Sequence, residues 1–233
     1  MRVIPAIFAF FFAASSQAQQ AAYFDAAQSY NRLLIEKNNG SYTRVGGYKV
    51  IGSPYLFGER KLGDVYSSTD SGTDIRISYN TYNQNIEFIS PGNVSLVRSP
   101  GTLDSFVIRK DTAQYLLTDL KFIYGPLLGS KEKNYFQIIT AGEKLTLYKK
   151  YTAELGNVST NYIQSELRQF NILVDYYYRD SSNNGIKRLK TSSGSLIKEF
   201  AKVKDLSKTI DVDALVTNKE MELIKLFLEM NKN

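Results

Sequence analysis

Between Gly47 and Arg109, short runs of alternating polar and apolar residues are cut by Gly, Pro, Asn and Asp, and this period of two constrains the fold more than any other feature. Successive side chains of a strand point to opposite faces, so alternation means one buried face and one wet face. In Asp74-Ile75-Arg76-Ile77-Ser78-Tyr79 the residues Ile75, Ile77 and Tyr79 share a face. Asn80 to Asn85 supplies a turn, because Asn side chains bond their own backbone and accept left-handed dihedrals. Ile86 and Phe88 then return inward. Ser90-Pro91-Gly92-Asn93 turns again before Val94 and Leu96, and Ser99-Pro100-Gly101 breaks the chain before Phe106 and Ile108. The spacing predicts an up-and-down antiparallel meander.

The amino terminus follows different rules. Arg2, an apolar run from Val3 to Ala14, and the small residues of Ser16-Gln17-Ala18 have the order of a cleaved signal peptide, with cleavage after Ala18. Residues 19–233 then form a single exported domain in the periplasm, at the outer-membrane periphery or outside the cell. With no Cys in the chain there is no disulfide and no lipid anchor on a Cys. No later stretch approaches the roughly 20 apolar residues of a membrane helix, so the mature chain is not expected to span a bilayer.

Chemistry is limited in the same way. There is neither His nor Cys, which rules out histidine-dependent triads, thiol nucleophiles and imidazole- or thiolate-bound metals. Carboxylate pairs, Ser-Lys pairs, Tyr and oxygen-ligated cations remain, but no catalytic residue, metal ligand or cofactor is assigned. Zero Trp weakens a sugar-stacking platform, although 17 Tyr are present.

Tyr23, Ala27, Tyr30 and Leu34 repeat at helical spacing, which predicts an amino-terminal helix over Tyr23 to Lys37, stopped by Asn38-Asn39-Gly40. Val50 to Leu56 and Gly63 to Tyr66 are read as strands, with Pro54 as a rigid turn that seats Tyr55 and Leu56 in the core. Tyr135 to Thr140 and Lys144 to Tyr148 suggest a hairpin. Phe170 to Tyr178 is the strongest strand, with Phe170, Ile172, Val174, Tyr176 and Tyr178 on one face. Asn183-Asn184-Gly185 is its turn and Ile186 to Leu189 the return. From Ser192 the period becomes 3.6, with Leu196, Phe200 and Val203 in one stripe. Thr217 and Glu220 form a capping box for a last helix whose buried stripe is Met221, Ile224, Leu228 and, on the flank, Phe227, closed by a staple of Val216 on Met221.

The expected fold is therefore mainly β (α+β): a meander forming a curved sheet, sandwich or partial barrel, with an amino-terminal helix and two to three carboxy-terminal helices. An outer-membrane barrel fits poorly, because its strands need about 9–11 residues each. The basic surplus of +6 gathers partly at Lys187, Arg188, Lys190, Lys198, Lys202, Lys204 and Lys208. Nucleic acid is a poor partner for an exported chain without a recognition motif. Anionic envelope glycolipid or polysaccharide suits the charge better, and a solvated helix face better still. Asp64, Asp70, Asp74 and Asp111 lie in or beside turns, where Asp satisfies backbone donors. Asp211-Val212-Asp213 lacks the Gly and the closing Glu of a calcium loop.

Gly52-Ser53-Pro54-Tyr55-Leu56, Gly63-Asp64-Val65 and Ser78-Tyr79-Asn80-Thr81-Tyr82, with the signal peptide and the helical tail, resemble exported proteins of Bacteroidetes-type bacteria. That resemblance implies compartment and lineage and carries no activity. Asp111-Thr112-Ala113 is similar to the O-glycan acceptor triplet of the group. The leading expectation is a non-catalytic envelope module that binds a partner protein or a surface glycan or glycolipid. The alternative is a carrier sheltering a small apolar ligand between a curved sheet and its helices, and a carboxylate hydrolase ranks third. Tyr55, Tyr79 and Tyr82 are the candidate contact residues.

Overall fold

The alternating stretches become strands, and they join one sheet. The computed structural model describes residues 34–38, 42–45, 48–89, 95–114, 116–157 and 167–232. The strands are β1 (Leu34–Asn38), β2 (Tyr42–Val45), β3 (Tyr48–Ile51), β4 (Lys61–Tyr66), β5 (Ser71–Asn80), β6 (Asn85–Ile89), β7 (Ser95–Arg98), β8 (Ser105–Ile108), β9 (Leu120–Tyr124), β10 (Tyr135–Thr140), β11 (Leu145–Asn157), β12 (Leu167–Asp180) and β13 (Lys187–Arg188). Their order is β1-β2-β3-β12-β11-β10-β9-β8-β4-β5-β6-β7, with β13 also on β12. All neighbours are antiparallel except β3 and β12. The sheet is large, mixed and not closed into a barrel.

The expected meander is interrupted twice: β3 pairs with β2 and β12 and not with β4, and β8 does not follow β7. β4 to β7 follow one another, but β8 returns to the far edge of β4, pairing Phe106 with Val65 and Ile108 with Gly63. β4 is largely buried, so both of its edges need backbone partners. Gly63 allows the close approach: a Cβ there would stand 2.3 Å from the Val107 carbonyl oxygen and 2.6 Å from Ile77 Cδ1. From β8 to β12 the chain then meanders without a break.

β11 outlasts its neighbour. It pairs with β10 through Lys150 only, while its pairing with β12 continues to Asn157. Beyond that point the turn between β5 and β6 takes the vacated place. Ala153 N–H donates to the Thr81 carbonyl at 3.0 Å, and Gln84 Nε2 donates to the Tyr151 carbonyl at 3.1 Å. The sheet therefore curls, and its concave face is packed with rings. Phe106 and Phe122 stack at 4.5 Å, and Tyr79 meets them edge-on at 5.1 and 5.5 Å. All three are buried, with Tyr135 beside them.

The other end of that face is covered by α1 (Ser193–Phe200), α2 (Val212–Thr217) and α3 (Lys219–Asn231). Leu196, Phe200, Leu223, Leu226, Phe227 and Met230 pack on Leu145, Leu147, Tyr176 and Tyr178. Asn231 fastens the end of α3 to the β10–β11 turn, accepting from Lys144 and Leu145 N–H and donating to the Leu145 carbonyl.

Three local expectations are corrected. Leu34 to Lys37 are strand and not helix, because they pair with β2; residues 23–33 lie outside the described residues, as do the signal peptide and the turn at 90–94. The capping box does not form: Thr217 Oγ1 donates to the Asp213 carbonyl inside α2, and the Glu220 carboxylate is held by Lys149 and Tyr176. The buried face of α3 is Leu223, Leu226, Phe227 and Met230; of the expected stripe Phe227 is buried and Ile224 half-buried, while Met221 and Leu228 are exposed and Val216 closes no staple. An apolar periodicity shows that a helix is two-faced but not which face the sheet takes.

Candidate functional site

The sequence motifs meet at the turn that curls the sheet. Tyr55 bridges to Asn80, Leu56 N–H donates to the Tyr79 carbonyl at 2.9 Å, and Thr81 donates to the Pro54 carbonyl from both its N–H and its hydroxyl. Pro54 thus positions Tyr55 and Leu56 as its stiff φ suggests, and both are buried. Tyr55 reaches both carboxylate oxygens of Glu87 at 3.1 Å. Tyr79 is enclosed, and its hydroxyl donates to Gln84 Oε1. Burial pushes that hydroxyl well above the usual tyrosine range. Tyr82 alone of the three is exposed, at 44 %, with its ring edge-on to Phe170 at 5.6 Å.

Titratable groups gather on two parts of the β11–β12 pair. On the convex face Lys150 Nζ lies 2.6 Å from Glu132 and 3.7 Å from Asp175, Tyr177 donates to Glu132 at 2.8 Å, and Arg188 holds Asp175 at 2.6 Å. Burial by itself would raise Glu132, but the bonds from Lys150 and Tyr177 more than offset it and hold the carboxyl low. On the concave face Lys149 and Tyr176 both hold Glu220, and Lys149 sits 4.8 Å above the Tyr151 ring. Both networks fasten an element to the sheet: the loop carrying Glu132 in one case, α3 in the other. Among the described residues no group of three or more Asp or Glu is placed to hold a metal ion.

The feature without a packing role is the middle of β12. Ile172, Leu173 and Val174 are 39, 46 and 41 % exposed, so this strand is open on both faces at three consecutive apolar residues. Its outer edge also lacks a strand partner there among the described residues. β3 pairs with it only through Gln169, its pairing with β13 starts at Tyr177, and Leu189 N–H reaches the Tyr176 carbonyl at 2.8 Å. Among the described residues no strand pairs that edge from 170 to 175. Beside it lies a groove of about 310 Å³, lined by Val174, Tyr176, Arg188, Leu189, Lys190 and Lys219. Tyr82, on Phe170, stands at the opposite end of the gap on the concave face.

The sequence carried a signal for this site, in Leu173. It is apolar out of phase with Ile172 and Val174, and a strand apolar on both faces is ordinarily covered on both. A second groove, of about 470 Å³, opens at the β4–β5 turn over Val65, Ile75, Phe88 and Leu103, with Asp70 and Arg98 on its rim. No described helix is long and apolar enough to cross a membrane. Set against known proteins, the chain matches no family model, no curated protein and no solved structure.

Proposed function

We propose that the chain is a non-catalytic binding module exported to the cell envelope, and that it engages an envelope protein through the outer edge of β12. The observation that carries this reading is the exposed run Ile172-Leu173-Val174 on a strand edge that, among the described residues, no strand pairs between β3 and β13. Open apolar edges invite strand pairing and are ordinarily blunted by charge, Pro or a covering element. The exported compartment rests on the amino-terminal residues and on the resemblance to Bacteroidetes-type exported proteins. The filled concave face, where Tyr79, Phe106, Phe122 and Tyr135 occupy the space a sheltered ligand would need, favours a surface binder over a carrier. A surface glycan or glycolipid, drawn by the basic residues, is the other partner class for the same module.

The test is photo-crosslinking in the native cell, with a benzophenone amino acid in place of Leu173 or, as control, of exposed Leu117. A discrete protein adduct at 173 alone is the expected result. Equal labelling at both positions, or no adduct at 173, overturns the reading. A carrier of a small apolar ligand has the groove over Phe88 in its favour. Native mass spectrometry of the chain from its own envelope would then show an extra few hundred daltons, lost on denaturation.

A further inference from the structure

We infer that the edge of β12 unpaired among the described residues takes one short extended peptide as an added strand, and that this peptide is apolar along its length with an acidic residue at the end nearest Val174. The inference rests on the binding-module reading and adds the occupant and its geometry.

The direction of the free groups follows from the ladder. Leu189 N–H bonds the Tyr176 carbonyl from the side where β3 and β13 lie. Along a strand the N–H and C=O of every second residue point the same way, so Ile172 and Val174 also direct theirs outward. On the other side, Ala153 N–H of β11 turns away from β12 to Thr81, as the same alternation requires. Two residues therefore present two donors and two acceptors, spaced to pair with an incoming strand.

The length of the gap selects the occupant. Between Gln169 and Tyr176 only about six residues are open, roughly 20 Å of strand. A second copy offering its own β12 would bring 14 residues, and they would run into β3 at one end and β13 at the other. A short extended segment fits between these stops. Its side chains would fall alternately on Ile172 and Val174 on the concave face and on Leu173 on the convex face.

Charge selects the sequence. Lys190 and Lys219 line the adjoining groove and form no ion pair among the described residues, whereas Asp175, the carboxylate there, is already held by Arg188 at 2.6 Å. The vacant charge is positive, which favours Asp or Glu at the peptide end nearest Val174.

The test is selection from a random twelve-residue peptide library displayed on phage against the mature chain, followed by anisotropy titration of the selected peptides. Enriched peptides should carry a short apolar run with Asp or Glu at one end. Ile172→Pro removes an outward N–H that no described strand uses and should weaken the best peptide at least tenfold with an unchanged melting temperature. If that variant unfolds, the double variant Lys190→Glu, Lys219→Glu gives an independent reading and should lose the acidic preference. Hydrogen exchange should slow at the Ile172 and Val174 amides when peptide is bound. No enrichment, or peptides that bind both variants as well as the parent, overturns the inference while leaving an adduct at 173 unaffected. A dimer abolished by Ile172→Pro would put a second copy on the edge and overturn it as well.

Discussion

Ala153 donates its N–H to the carbonyl of Thr81 at 3.0 Å, across 72 residues of sequence, and this bond joins the two halves of the curled sheet. It exists because β11 runs past the end of β10, which leaves outward-facing backbone groups that something must satisfy. The β5–β6 turn does so with one backbone carbonyl and one side chain. That side chain is Gln84, and the first prediction concerns it.

Gln84 Nε2 donates to the carbonyls of Thr81 and Tyr151, while Oε1 accepts from the Tyr79 hydroxyl. Gln84→Ala leaves a buried hydroxyl and a buried carbonyl without these partners and should cost about 3 kcal/mol. Tyr79→Phe removes one bond without stranding a donor and should cost about 1 kcal/mol. Urea midpoints at constant slope measure both.

Gly63→Ala tests the return of β8 to β4. The added methyl would meet the Val107 backbone oxygen and the Ile77 side chain, and the backbone oxygen has nowhere to move without opening the ladder. A loss of about 3 kcal/mol or more is expected, at the upper end for overpacking. Gly72→Ala, whose nearest neighbour would be 3.4 Å away, should change the thermal midpoint far less.

The two faces of α3 should respond in opposite ways. Leu223→Ala empties part of the core against β11 and should cost about 2–5 kcal/mol. Leu228→Ser lies on the exposed stripe and should stay within about 0.5 kcal/mol. A larger loss at Leu228 than at Leu223 would mean that the helix packs through the other stripe.

Stability should fall in alkali. Burial raises Tyr79, pushes Tyr135 up to about 12, and, with Glu220 nearby, does the same for Tyr176. Each keeps its proton longer folded than unfolded. The stability they contribute is therefore whole below the ordinary tyrosine value of 10.0 and is lost as pH rises from there toward 12. Absorbance at 295 nm should show these tyrosines ionising together with the loss of near-ultraviolet dichroism, and a separate earlier ionisation would contradict their burial.

Some of this was written locally. Ile77, Tyr79, Ile86, Phe106 and Ile108 are buried as alternation requires, because a strand's two faces are set by backbone geometry alone. Pro54 and the Asn-rich turns carry their dihedral preferences with them. The absence of His and Cys removed whole classes of chemistry before any fold was known.

Tertiary structure decided what depends on partners distant in sequence. It paired Leu34–Asn38 with β2 against a helical pattern, sent β8 back to β4, and turned α3 so that Leu223 and Leu226 face the sheet in place of Met221 and Leu228. It also left the edge of β12 at Ile172 and Val174 without a strand partner among the described residues. A strand's periodicity says which side chains share a face, but which edges find partners depends on the length of every neighbouring strand. β3 stops at Ile51, opposite Gln169, and β13 ends at Arg188, opposite Tyr177, and the gap between them among the described residues is a property of the assembled sheet.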